Sequence, residues 1–361
     1  LAMSGTRLGT LIRGLRTLRR APDIAALRAA ASPAELARLA LIPAGRNLGI
    51  SVGFLPAHQR AEATAALLAC RVLDAYEDLA DRAIAADAVR AAAAYLAGVA
   101  DTAPPALPAD TVAARDSEAV DRVLAERIAD IRALLTALSA EGRARVGSVL
   151  IDIADVMARN IEQPISRVTY GEGVLGRVTH YACSLVADGV LPEEDLRELT
   201  GCVAVIAQSA NDLRDNEFEI YGVVDRDELT RTVMLQLLAP ALGGFALLAR
   251  LGPGTPSRGA RAAMAYMTIT TNAFLCRVVG APAPYKRPIA AAAAAACAPV
   301  YWTRMLDRVR RSADGAIHQM LDASPEFAAG ASGATQVLGA ADPAAGQTSL
   351  VPLIVDTTFA L

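Results

Sequence analysis

Two stretches of this 361-residue chain place oxygen-bearing side chains at helical spacing. In the first, Cys70-Arg71-Val72-Leu73-Asp74-Ala75-Tyr76-Glu77-Asp78-Leu79-Ala80-Asp81-Arg82, Asp74 and Asp78 are four apart, and Arg71 comes three before Asp74. On a helix these three share one face. Like charges four apart cost a few tenths of a kcal/mol in an ordinary helix, a cost that a bound cation reverses. Magnesium suits such a pair, because it takes one or two carboxylates and completes its shell with water and phosphate oxygens. The bland alternative for an isolated pair is a solvated acidic face. The second stretch, Gln208-Ser209-Ala210-Asn211-Asp212-Leu213-Arg214-Asp215-Asn216-Glu217-Phe218-Glu219-Ile220-Tyr221, follows an apolar run at 203–207. Asn211, Asp215 and Glu219 form a stripe at four-residue steps, with Gln208 one turn earlier and Arg214 near its edge. A surface helix would mix signs along such a stripe, whereas this one offers acceptors at three successive turns. The oxygen-only set favours magnesium or manganese over zinc.

The elements that must position these stripes read as helices. Ala, Leu, Arg and Glu recur at three- and four-residue spacing, with no sustained period-2 alternation between hairpin turns. Breaks fall between long blocks: Pro43-Ala44-Gly45, a Pro-rich linker at 101–112, a Gly-rich opening at 171–176, Pro192, 252–256 and 280–288. The expectation is one all-α domain over 1–322, of ten to fourteen helices. A tail over 323–361, rich in Ala, Gly, Ser, Thr and Pro, reads as irregular. Hydrophobic residues make up 53% of the chain and mean hydropathy is +0.33, enough for a large core. With 20% charged residues and a formal net charge of -3, no basic face for a nucleic-acid partner is expected. Five scattered cysteines fit neither a disulfide framework nor a metal cluster and suggest a reduced, cytoplasmic setting. No signal peptide is expected, and Leu1-Ala2 ahead of Met3 reads as residues appended to a natural start. The apolar stretches at 233–249 and 289–302 are interrupted by Pro, Gly or Gln, so they read as buried helices, not membrane spans. Their apolarity leaves room for peripheral membrane contact and equally suits a greasy substrate.

Taken in order, these segments resemble the squalene/phytoene synthase family. Arg71-x-x-Asp74-x-x-x-Asp78 is similar to the family's first aspartate-rich motif, and Asn211-x-x-Arg214-Asp215-x-x-x-Glu219 to its second. The stretch from Arg46 and Asn47 through Phe54-Leu55-Pro56 to Arg60 resembles the family's opening segment. Tyr181-Ala182-Cys183-Ser184-Leu185-Val186-Ala187-Asp188 resembles its Y-C-x-x-V-A-G helix, and 286–310 its closing helix. The likeness covers roughly 44–310. Glu219 replaces the usual last Asp, Ala182 stands where the family has Tyr, and Asp188 replaces Gly, so the cavity wall and product are in question.

The resemblance implies a helical bundle of the isoprenoid-synthase type around an apolar cavity. It implies head-to-head joining of two prenyl diphosphates, farnesyl or geranylgeranyl, through a cyclopropyl diphosphate. Asp74, Asp78, Asn211, Asp215 and Glu219 would hold Mg2+, with Mn2+ as a substitute. Arg46, Asn47, Arg71, Gln208 and Arg214 would bind the substrate diphosphate, since Arg forks suit phosphate. Phe54, Tyr181, Ala182 and Phe218 would line the cavity, although each also fits plain core packing. NADPH dependence is undecided; no Gly-rich dinucleotide fingerprint is present. Lys286 and Arg287 fit a phosphate-covering flap or a helix cap equally well. His58, His180 and His318 read as structural or surface residues. Two rival readings stand. Asn211-Asp212-Leu213-x-Asp215-x-x-x-Glu219 also resembles the metal motif of class I terpene cyclases, which act on one prenyl diphosphate. The other rival is an inactive helical partner of a true synthase.

Overall fold

The structure is a computed structural model that describes residues 21–109, 113, 116–187, 189–215, 218, 222–236, 247–255 and 257–322. The expected irregular tail at 323–361 therefore lies outside the described residues. Among those described the chain is helical and contains no strand, as the three- and four-residue spacing implies. The helices are α1 (Ile24–Arg28), α2 (Pro33–Val52), α3 (Ala57–Leu79), α4 (Ala85–Leu96), α5 (Asp116–Glu126), α6 (Ile128–Thr136), α7 (Ala140–Glu162) and α8 (Arg167–Gly171). A π-helical turn (Glu172–Gly176) leads into α9 (Arg177–Ala187), followed by α10 (Glu193–Asp215) and α11 (Arg226–Gln236). After α12 (247–254) come α13 (Arg258–Val278), α14 (Pro288–Ala295) and α15 (Pro299–Asp322).

Local chemistry sets several boundaries. Ser32 caps α2 by accepting from Glu35 N, Pro33 occupies the first turn, and the Glu35 carboxylate accepts from Ala31 N. Ser139 and Ser257 cap α7 and α13 in the same way. No helix among the described residues is long and apolar enough to cross a membrane.

Two apolar clusters carry most of the core. The first joins α3 to α4–α7 through side chains such as Leu68, Leu73, Val89, Leu124 and Leu150. The second joins the end of α2 to α13, α14 and α15 around Tyr266, Ile269 and Trp302. Each fully buried large aliphatic contributes about 1.5–3 kcal/mol. Helix α3 lies at the centre of the first cluster and carries the first acidic segment, so its orientation is fixed by packing along its length.

Two of the expected breaks take specific forms. The break expected at 43–45 falls at Arg46: 33–52 is two helical segments joined by a kink there, where the backbone sits at φ 47° and ψ -121°. A side chain at positive φ is strained. Two glycines hold the bend: a Cβ on Gly45 would sit 2.5 Å from Leu67 Cδ2, and one on Gly49 would overlap the Leu41 carbonyl oxygen. The Gly-rich stretch at 171–176 does not open a helix but lies inside one as the π-turn. Gly173 lets this turn lie on α7, since its Cβ would come within 2.8 Å of Val156.

Candidate functional site

The first acidic segment is held by partners far away in sequence. Arg71 donates from Nε to Asp121 Oδ1 at 2.9 Å and from Nη2 to Asp121 Oδ2, and its Nη1 donates to Asp74 Oδ2 at 2.6 Å. Asp121, on α5, has a side chain only 4% exposed, whereas those of Arg71 and Asp74 are each 28% exposed. Burial pushes the Asp121 carboxyl up to about 6, against the lowering effect of Arg71. Burial likewise raises Asp74, again opposed by Arg71. Burial works against the Arg71 cation, but Asp74 and Asp121 outweigh it and hold the guanidinium above its ordinary value. Asp78 is exposed at the outer end of the same face.

Residues 170 and 171 lie beside both acidic segments. Tyr170 donates its hydroxyl to the Glu77 carboxylate, 2.9 Å from one oxygen and 2.8 Å from the other. The next residue, Gly171, lies so that a Cβ on it would be 3.9 Å from Gln208 Oε1 of α10. One dipeptide therefore bonds to the first segment on α3 and passes close to the second on α10. The π-turn that follows packs on both α7 and α10. Such turns disrupt the helical ladder locally and recur at functional sites.

Within the second segment, Gln208 donates to Asp212 Oδ1 at 2.7 Å, and Asp212 is 1% exposed. Asn211, Arg214 and Asp215 lie in the last turns of α10. Glu219 lies outside the described residues. Phe218 is half-buried against a small cluster formed by Leu213, Val223, Leu229 and Val233.

The strained bend of α2 approaches the same face of α3. Gly45 packs on Leu67, which is seven residues before Asp74 and so about 10 Å away along the helix. Arg46 projects from this bend and is exposed. Asn47 accepts from the Tyr266 hydroxyl at 3.3 Å, and the Tyr266 ring packs on Phe54 with centroids 5.7 Å apart. The cavity candidates thus belong to different apolar clusters: Phe54 to the second, Tyr181 to the first and Phe218 to the small one. Tyr181 donates to Glu62 at 3.2 Å, and Ala182 beside it is half-buried. Two concavities, of about 460 Å³ along α6 and about 90 Å³ beside Trp302, contain no residue of either acidic segment.

Among the described residues no three His, Cys, Asp or Glu side chains converge on a point that could hold a metal ion. The first segment supplies a pair, Asp74 and Asp78. An all-oxygen pair is the share magnesium takes from a protein when phosphate and water complete its shell.

Sequence reasoning missed Asp121 and Tyr170. Asp121 had a signal, because it lies in register with Leu124, Ala125 and Ile128 on an apolar stripe, where a lone carboxylate requires a partner. Tyr170 had none, since its role depends on a contact 93 residues away.

No protein-family model and no curated protein matches the chain. Among solved structures, it is similar to Trypanosoma cruzi squalene synthase in complex with the ligand E5700, with a TM-score of 0.55 and 14% identity, over 78% of this chain and 96% of that one. A second complex of that enzyme, with BPH1237, gives a TM-score of 0.51 and 14% identity, over 78% of this chain and 97% of that one. The likeness is one of architecture: the chain has the all-α isoprenoid-synthase fold of squalene synthase.

Proposed function

We propose that the protein is a magnesium-dependent enzyme that ionises prenyl diphosphates and joins two of them head to head, through a cyclopropyl diphosphate, into a squalene- or phytoene-like chain. The observation that supports this reading is that one dipeptide, Tyr170-Gly171, bonds to the first acidic segment and passes close to the second. Diphosphate leaves only when its charge is neutralised. Magnesium, held by Asp74 and Asp78 on one side and by Asn211, Asp215 and Glu219 on the other, would supply that charge as a Lewis acid. Arg46, on its strained bend, offers an exposed guanidinium near the face that carries Asp74. Asn47, Gln208 and Arg214 add polar groups to the same diphosphate. Departure of diphosphate leaves an allylic cation that water would destroy, so apolar walls including Phe54, Tyr181, Ala182 and Phe218 would exclude water from it.

The test is incubation of the pure protein with magnesium and either farnesyl or geranylgeranyl diphosphate, followed by mass spectrometry. A doubled chain is the expected product. A cyclised monomer would replace this reading with the terpene-cyclase one, and no release of diphosphate would leave an inactive helical partner. Repeating the incubation with and without NADPH decides whether the product is reduced.

A further inference from the structure

We propose that Asp121 is a positioning residue of the diphosphate site: by occupying one edge of the Arg71 guanidinium, it keeps Arg71 from closing over both oxygens of Asp74 and leaves that carboxylate open to a divalent cation. This inference rests on the functional reading above, and it assigns a role on α5, outside both acidic segments.

Arg71 presents its Nε and Nη2 edge to the two oxygens of Asp121, leaving Nη1 for Asp74 Oδ2. Among the described residues no further hydrogen bond engages Asp74 Oδ1. A guanidinium favours a two-pronged grip on a carboxylate wherever one is within reach. Arg71 and Asp74 lie one turn apart on α3, so without another acceptor the fork would turn onto Asp74 and cover both its oxygens. Asp121 prevents this because it offers a complete two-oxygen edge on the buried side, 4% exposed, where water does not compete. The backbone of α5 is fixed there by Val120, Val123 and Leu124, which are fully buried in the first core cluster. The result is a relay: Asp121 orients Arg71, Arg71 anchors one oxygen of Asp74, and the other oxygen faces the cation.

A direct ligand role for Asp121 and a purely structural one make different predictions from this relay. The test is binding of Mn2+ to the full chain without substrate, followed by electron paramagnetic resonance of the free ion. Asp121→Asn is expected to weaken Mn2+ binding at least tenfold with Arg71 present. In an Arg71→Met background the same substitution is expected to change binding less than twofold, since no fork remains to close over Asp74. An equal loss in both backgrounds would overturn the proposal, because Asp121 would then act on the cation directly. Unchanged binding on Asp121→Asn alone, or no Mn2+ binding by the wild type, would overturn it as well. If Asp121→Asn fails to fold, Asp121→Ser, which leaves room for water around the guanidinium, is held to the same expectations. Diphosphate release by the wild type is read separately, so a protein that binds Mn2+ through this relay but ionises no prenyl diphosphate would count against the proposed function alone.

Discussion

Helix α3 carries two carboxylate–guanidinium forks about 14 Å apart, and they are built in opposite senses. At the Glu62 fork the helix contributes the acid: Arg145 of α7 donates from Nε to Oε1 at 3.1 Å and from Nη2 to Oε2 at 2.8 Å, and Tyr181 donates to Oε1. The third nitrogen of Arg145 points outward to Glu141, an exposed residue of its own helix. At the Arg71 fork the helix contributes the base, the buried acid comes from α5, and the third nitrogen points to Asp74. The chemistry of the two forks is the same, but what lies beyond the third nitrogen differs. The Glu62 fork ends in solvent and braces α3, α7 and α9 together. The Arg71 fork ends on a carboxylate of the first acidic segment. A buried ion pair is therefore not in itself a sign of function; the group it holds in place is.

The largest expected effect tests the functional end. Asp78→Ala should slow diphosphate release about 100- to 1000-fold, the scale of several kcal/mol of lost charge stabilisation. Because Asp78 is exposed, its melting transition should stay within about 1 kcal/mol of the wild type. Normal turnover in this variant would end the metal assignment for the first segment. Glu62→Ala tests the brace and should behave in the opposite way. It strips the acceptor from Arg145 and from the Tyr181 hydroxyl, so stability should fall by about 1–3 kcal/mol in denaturant titrations. Activity per folded molecule should persist. A Glu62→Ala protein that is stable but inactive would erase the distinction between the two forks.

Tyr181→Phe sharpens the comparison within the brace. It deletes one donor to Glu62 and leaves the Arg145 fork intact, so a loss of about 0.5–1.5 kcal/mol is expected. The resemblance assigns this residue to a cavity wall instead. A shifted product distribution with unchanged stability would favour that role over the brace.

The fold class and the Asp74–Asp78 stripe were readable from the sequence because they depend on spacing within one helix. Asp74 and Asp78 needed only a four-residue step, and the all-α architecture followed from the same periodicity. What was not readable depends on chain segments that meet only after folding. Asp121 is 50 residues from Arg71, Glu62 is 83 from Arg145, and Tyr170 is 93 from Glu77. The bend at Arg46 was readable only in part. Pro43 and Gly45 signal a break by local preference, and the chain does kink one residue later, where Gly49 packs against the Leu41 backbone; what the local signal does not give is how sharply the two segments fold together. Tertiary packing acts differently at 171–176, where Gly173 lies on Val156 and the π-turn continues the helix.

Cys70 lies between the two forks on α3 and reports on both. Burial pushes its thiol up to about 12, and Asp74 adds to the rise. At pH 8 about one part in ten thousand of it is then thiolate, the form that alkylating agents attack. Iodoacetamide should therefore label exposed Cys297 quickly and leave Cys70 almost untouched, as read by peptide mass spectrometry. Cys70 is also close enough to Tyr181 to raise that hydroxyl's pKa further, so opening the brace should hydrate the thiol. In Glu62→Ala, labelling of Cys70 should rise toward the Cys297 rate; in Asp78→Ala it should stay at the wild-type level. Equal labelling of Cys70 in both variants would mean that the two ends of α3 loosen together, and the brace and the acidic end would then be one cooperative unit.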